Sequence, residues 1–197
     1  MTEVKECQVV TAGCRVHCLE AGPTDGQDIV LLHGMKFKAQ TWQDLGTLEM
    51  LAGAGRHAVA LDLPGFGASP ACDAAVDAVL VDFVAQKKLA RPVFIGPSMG
   101  GRVALEFCLA HPDLVGALVL VGAVGVQENS KRLADISVPT LIVWGGDDAI
   151  SPIANGRLLN EKIGGSSFFV IDGAPHPCYL DHPAIWHHEL LSFLEKS

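Results

Sequence analysis

The chain has 197 residues, 49% apolar and 18% charged, which is a globular composition and not a disordered one. Fourteen basic against twenty-two acidic residues give a net charge of −8, which argues against a surface built to neutralise nucleic-acid phosphates. Mean hydropathy is high at +0.33, yet the longest apolar run, residues 117–126, is about half of the roughly twenty a spanning helix needs, so no membrane segment is expected.

The opening Met1-Thr2-Glu3-Val4-Lys5-Glu6 carries neither a basic start nor an apolar core, so no signal peptide is expected. The length predicts a single domain over residues 1–197. Six cysteines stand at 7, 14, 18, 72, 108 and 178. With no secretory signal they read as reduced cytosolic thiols, most of them small core side chains. Cys14 and Cys18 share a face of a strand, but no second Cys or His pair stands at zinc spacing, so no metal is expected.

Along the chain, residues 3–20 alternate around Ala12-Gly13 and predict an antiparallel hairpin. Short apolar runs follow at 29–32, 58–61, 92–95, 117–121, 140–144 and 168–171. They are β-branched and apolar on both faces, as strands buried in a parallel sheet are. Segments with helical spacing lie between and after them: 42–53, 74–88, 99–110, 153–163 and 183–196. Strand and helix in alternation predict a mostly parallel sheet of about eight strands with helices on both faces. Ligands of such a sheet bind outside the carboxyl ends of the strands, so the residues that follow each strand carry the functional signal.

After Ile95 comes Gly96-Pro97-Ser98-Met99-Gly100, a G-x-S-x-G turn between a strand and a helix. The serine there needs a strained backbone to present its hydroxyl, and side chains at the flanking glycines would collide with neighbouring backbone. Ser98 is therefore the candidate nucleophile. After Leu32 comes His33-Gly34-Met35, which with Met99 offers two backbone amides as an oxyanion hole. His33 reads as a brace for that loop, with catalytic base as its rival role. After Trp144 comes Gly145-Gly146-Asp147-Asp148. Asp148 is the favoured acid to orient a histidine, and Asp147 competes with it. After Ile171, His176 lies in a loop where a base can reach Ser98. His182, His187 and His188 are its rivals, at or inside the last helix.

The order Ser98, Asp148, His176 and the strand contexts together resemble the α/β-hydrolase superfamily over nearly the whole chain. Residues 61–69, Leu-Asp-Leu-Pro-Gly-Phe-Gly-Ala-Ser, are similar to its loop after the fourth strand. Two further stretches are similar to the α/β-hydrolase domain-containing protein 14 family. One is residues 31–34 followed by Thr41-Trp42-Gln43-Asp44-Leu45-Gly46-Thr47-Leu48; the other runs from His176-Pro177-Cys178-Tyr179 through Trp186-His187 to Leu191. The elbow departs from that family, which has serines where this chain has Gly96 and Gly100, and follows the general superfamily pattern.

The resemblance implies a serine hydrolase of small acyl, acetyl-type esters working through Ser98, His176 and Asp148 and an acyl-enzyme. It also implies acetyl transfer from acetyl-lysine to coenzyme A as acceptor, and a protein partner or acetylated protein as substrate. A thioesterase, a lactonase, or a ligand- or protein-binding module with a silent site are the alternatives. Only about a dozen residues, 127–138, separate the strand after the nucleophile helix from the strand of the acid. No lid domain fits there, so an open pocket walled by Met35, Phe37, Phe66, Met99 and Val124 is expected, on a monomer in the cytoplasm, with the nucleus as the alternative. Lys36, beside the oxyanion loop, reads as an exposed loop lysine or as an attractor of an anionic acyl carrier.

Overall fold

The computed structural model describes residues 3–197; Met1 and Thr2, where the reading of the N-terminus begins, lie outside the described residues. The hairpin forms as read. β1 (Lys5–Thr11) and β2 (Cys14–Ala21) pair antiparallel across Ala12 and Gly13. Both turn residues have positive φ, 48° and 80°, the backbone a two-residue hairpin turn demands.

β3 (Asp28–Leu31), β4 (His57–Leu61), β5 (Val93–Pro97), β6 (Ala117–Val121), β7 (Thr140–Gly145) and β8 (Ser167–Ile171) complete one eight-stranded sheet of order β1-β2-β4-β3-β5-β6-β7-β8. Every pairing from β4 through β8 is parallel, and only β1 and β2 run against their neighbours. Alternate strand residues feed two separate cores. Val30, Val59, Phe94, Leu118 and Ile142 face one layer, with α3 (Val76–Gln86), α4 (Met99–Ala110) and α5 (Ile153–Lys162). Ile29, Ala58, Ile95, Val119 and Val143 face the other, with α1 (Ala39–Asp44), α2 (Thr47–Gly53), α6 (Cys178–Asp181) and α7 (Pro183–Leu194). Burial on both sides is why these strands read as unbroken apolar runs.

Two expectations change. The helix expected over 42–53 is two helices, because Gly46 takes a left-handed conformation (φ 78°) that ends the first and opens the second. The chain between β6 and β7 carries one 3-10 turn, Leu133–Asp135. The cysteines are not all reduced. Cys7 pairs with Cys18, its direct cross-strand partner in the hairpin register, and Cys14 pairs with Cys72, carried by the loop after β4. Cys108 and Cys178 are free and buried, and burial pushes their thiols up to about 11 and about 12. No helix among the described residues is long and apolar enough to cross a membrane.

Candidate active site

Ser98 sits at the carboxyl end of β5, where the chain turns abruptly into α4. Its φ of 51° and ψ of −114° are sparsely populated for a side chain with a Cβ. The bend is held by its own amide, which donates to Val121 at 2.9 Å. Space explains the glycines. A Cβ on Gly100 would stand 2.7 Å from the His33 carbonyl oxygen, and one on Gly96 would run into the Gly100 carbonyl. The elbow, the β3 loop and the first turn of α4 can approach only without those side chains.

The β3 loop is pinned to the next strand's loop. The Leu63 amide donates to His33 Nε2 at 3.0 Å, so Nδ1 carries the proton and donates to the Gly34 carbonyl at 2.8 Å. Burial holds the His33 pKa below the ordinary histidine value, against a smaller opposing pull from the Gly34 carbonyl and Asp62. His33 is thus a neutral brace, with both ring nitrogens engaged and 1% of its surface exposed. At the loop's far end, Asp62 Oδ1 accepts from the Ala39 amide at 2.6 Å. Between the two pins, Gly34 to Phe37 close a turn whose Phe37 amide donates to the Gly34 carbonyl at 3.0 Å. Met35 lies at the tip of this turn. Neither its amide nor that of Met99, the first residue of α4, is engaged by another group among the described residues.

His176, in the loop between β8 and α6, donates from Nδ1 to Asp148 Oδ2 at 2.7 Å. Asp148 is fixed from its other oxygen, which accepts the amides of Ile150 at 2.9 Å and Ser151 at 2.8 Å. Its side chain is fully covered, while that of His176 is 18% exposed. Asp147 points elsewhere. It is exposed, and its amide ties the acid's turn to the histidine's loop through the Ala174 carbonyl at 3.0 Å. With Nδ1 holding the proton, Nε2 of His176 is an acceptor, and it has no hydrogen-bond partner among the described residues. Ser98 and His176 line one cavity without a hydrogen bond between them, as is common before substrate tightens such a pair.

That cavity has a volume of about 430 Å³. Met35, Phe37, Met99 and Val124 line it, as do Lys36, Ile150 and Pro177. A tighter recess of about 10 Å³ opens beside Ser98 and His176, walled by Gly34, Phe37, Pro97 and Tyr179. Phe66, read as a pocket wall, is a correction. Its loop folds back through Ser69 N–H to the Phe66 carbonyl (2.9 Å), and its ring lies edge-on to His33 with centroids 5.1 Å apart. It packs against the core and supports the brace. Ile150, Pro97 and Tyr179 line these spaces and are not among the pocket walls expected from the sequence. Ile150 follows Asp148 by two residues, so the strand-end rule that picks out the acid also points to it. His187 accepts or donates with Thr47 at 2.9 Å, far along α7, and burial lowers its pKa. Among the described residues no cluster of His, Cys, Asp and Glu is placed to hold a metal ion.

Comparison with known proteins agrees with this architecture. Residues 29–131 match the model of the alpha/beta hydrolase fold family. The human protein named "Putative protein-lysine deacylase ABHD14B" is 36% identical over 98% of this chain and 96% of its own length. Protein ABHD14A of Danio rerio is 37% identical over 85% of this chain and 64% of its own length. The crystal structure of a "predicted CIB-like hydrolase" from Thermoplasma acidophilum superposes with a TM-score of 0.94 at 26% identity, covering 100% of both chains. By its sequence and its sheet, the chain belongs to the α/β-hydrolase family and, within it, to the group of α/β-hydrolase domain-containing protein 14.

Proposed function

We propose that this α/β hydrolase is a serine hydrolase of small acyl groups, with Ser98 as nucleophile, His176 as base and Asp148 as its orienting acid. One observation carries the reading: a histidine tied to a buried carboxylate at 2.7 Å shares a cavity with a serine on a strained elbow. The Ser98 hydroxyl passes its proton to His176 Nε2 as Oγ bonds to the acyl carbon. The oxyanion is held by the amides of Met35 and Met99, each well-placed donor lowering the barrier by about 3 kcal/mol. The leaving group takes the proton from His176, and the acyl-enzyme remains. Water then gives a proton to Nε2 and attacks the acyl carbon, and Ser98 regains its hydrogen as the acid departs.

The recess of about 10 Å³ beside Ser98 favours an acetyl-sized group, since that is room for roughly one water-sized moiety. The relatives named as lysine deacylases support an acetylated lysine on a protein as the acyl donor. A thiol such as that of coenzyme A would then compete with water as acceptor, leaving as the thioester. No metal or resident cofactor enters this chemistry, and a monomer suffices for it.

The test is release of p-nitrophenol from p-nitrophenyl acetate, together with fluorophosphonate labelling, by wild type and Ser98→Ala. Turnover and labelling that both vanish in the variant are expected. Equal labelling of the two proteins would overturn the assignment of Ser98.

A further inference from the structure

Lys36 follows Met35 in the turn closed between Gly34 and Phe37, and its side chain lines the large cavity. Among the described residues, Lys36 is held in no ion pair, unlike the lysines and arginines Lys87, Arg102, Arg132 and Lys162. No Asp or Glu lines the cavity. The carboxylate of the site, Asp148, is wholly covered and committed to His176, Ile150 and Ser151. Apart from Ser98 and His176, the other side chains lining the cavity are apolar, among them Val124 and the exposed Met35 and Ile150, each 67% exposed. On a chain of net charge −8, Lys36 thus brings an ammonium that no carboxylate neutralises to a largely apolar cavity.

We propose that Lys36 determines specificity by reading a negative charge on the substrate. On this inference, which rests on the serine-hydrolase reading above, preferred substrates are acyl esters or thioesters bearing a carboxylate or phosphate a few bonds from the scissile carbonyl. The apolar lining receives the intervening methylenes, and the ammonium closes a charge-assisted hydrogen bond with the anion. The turn that carries Lys36 also carries the Met35 amide, so an anchored anion holds the acyl carbon against the oxyanion donors. An anion on the acyl side and one on the leaving-group side present the same chemistry, and two substrate pairs separate them.

The first pair is 4-nitrophenyl hemiglutarate against 4-nitrophenyl hexanoate, and the second is 4-acetoxybenzoate against its methyl ester. The readout is the ratio of kcat/KM, anionic over neutral, in wild type divided by the same ratio in Lys36→Met, which keeps the aliphatic stem. Intrinsic ester reactivity and any general loss of active enzyme cancel in that quotient. We expect a quotient of about three to ten in the pair whose anion Lys36 reaches, restored by Lys36→Arg, inverted by Lys36→Glu and shrinking with added salt. Ser98-dependent turnover with a quotient near one in both pairs would overturn this inference alone. No Ser98-dependent turnover of any of the esters would overturn the hydrolase reading, and this one with it.

Discussion

The imidazole of His33 accepts the Leu63 amide at 3.0 Å and thereby fastens the loop that carries Met35 to the loop after β4. Its Nδ1–H closes onto the Gly34 carbonyl, so the ring sets the path of the backbone one residue before Met35. His33→Asn cannot span both partners. The expected result is a fall in kcat of about tenfold with KM within about twofold, because the donor it positions acts on the transition state. Steady-state kinetics on p-nitrophenyl acetate check this; an equal rise in KM with kcat intact would place His33 in substrate binding instead.

The same residue gives a pH dependence with a definite sign. Burial lowers the His33 pKa, and burial also lowers that of His187. Below about pH 6.5 the unfolded chain binds protons that the folded chain refuses at these rings, so stability falls as pH falls through that range toward the lowered values. Urea unfolding at pH 7.5, 6.5 and 5.5 should show this loss, and His33→Asn should show a shallower one. An identical slope in the variant would remove His33 from the account.

Asp147 and Asp148 are adjacent in sequence and opposite in circumstance. Asp148 is covered and bonded to His176, whereas Asp147 is exposed and contributes its amide to the Ala174 carbonyl. Asp148→Asn should lower kcat by about 10³- to 10⁴-fold, since the amide no longer favours the productive imidazole tautomer or its charged form. Asp147→Asn should stay within about twofold. The reverse ranking would hand the orienting role to Asp147.

Most of the architecture was legible because both faces of the central strands are buried, which leaves apolar runs that no surface strand shows. The elbow was legible because its backbone demands glycine at 96 and 100, and that demand is written in residue types. What escaped depends on long-range geometry. The break at Gly46 interrupts a helical periodicity that continues on either side of it. Phe66 was misplaced because only the folded loop decides whether its ring meets the cavity or His33. The cysteine pairing required the hairpin register and the return of a loop 58 residues downstream.

That last difference makes a prediction of its own. The Cys14–Cys72 pair closes a loop across a separation of 58 residues, which joins the edge hairpin to the segment that carries Phe66. Closing a loop of this size restricts the unfolded chain and stabilises the fold by about 2–4 kcal/mol. Thiol titration of the protein unfolded without reductant should count the two free cysteines, Cys108 and Cys178. Six would restore the reduced-thiol reading. Reduction should lower Tm by roughly 5–15 °C for a chain of this length, and Cys72→Ser should reproduce most of that drop.

The recess beside Ser98 sets the last expectation. Gly34, Phe37, Pro97 and Tyr179 leave about 10 Å³ there, against about 430 Å³ in the open cavity. On the proposed reading an acetyl methyl takes the small space, and each further methylene must turn out toward the larger cavity, which draws the acyl carbon away from the amides of Met35 and Met99. Across p-nitrophenyl acetate, butyrate and octanoate, kcat should therefore fall with chain length, by about tenfold or more from first to last. Phe37→Ala enlarges the recess and should flatten the series by raising the butyrate rate relative to acetate. A series that rises with length in the wild type would mean that the acyl chain lies in the large cavity and the leaving group occupies the recess.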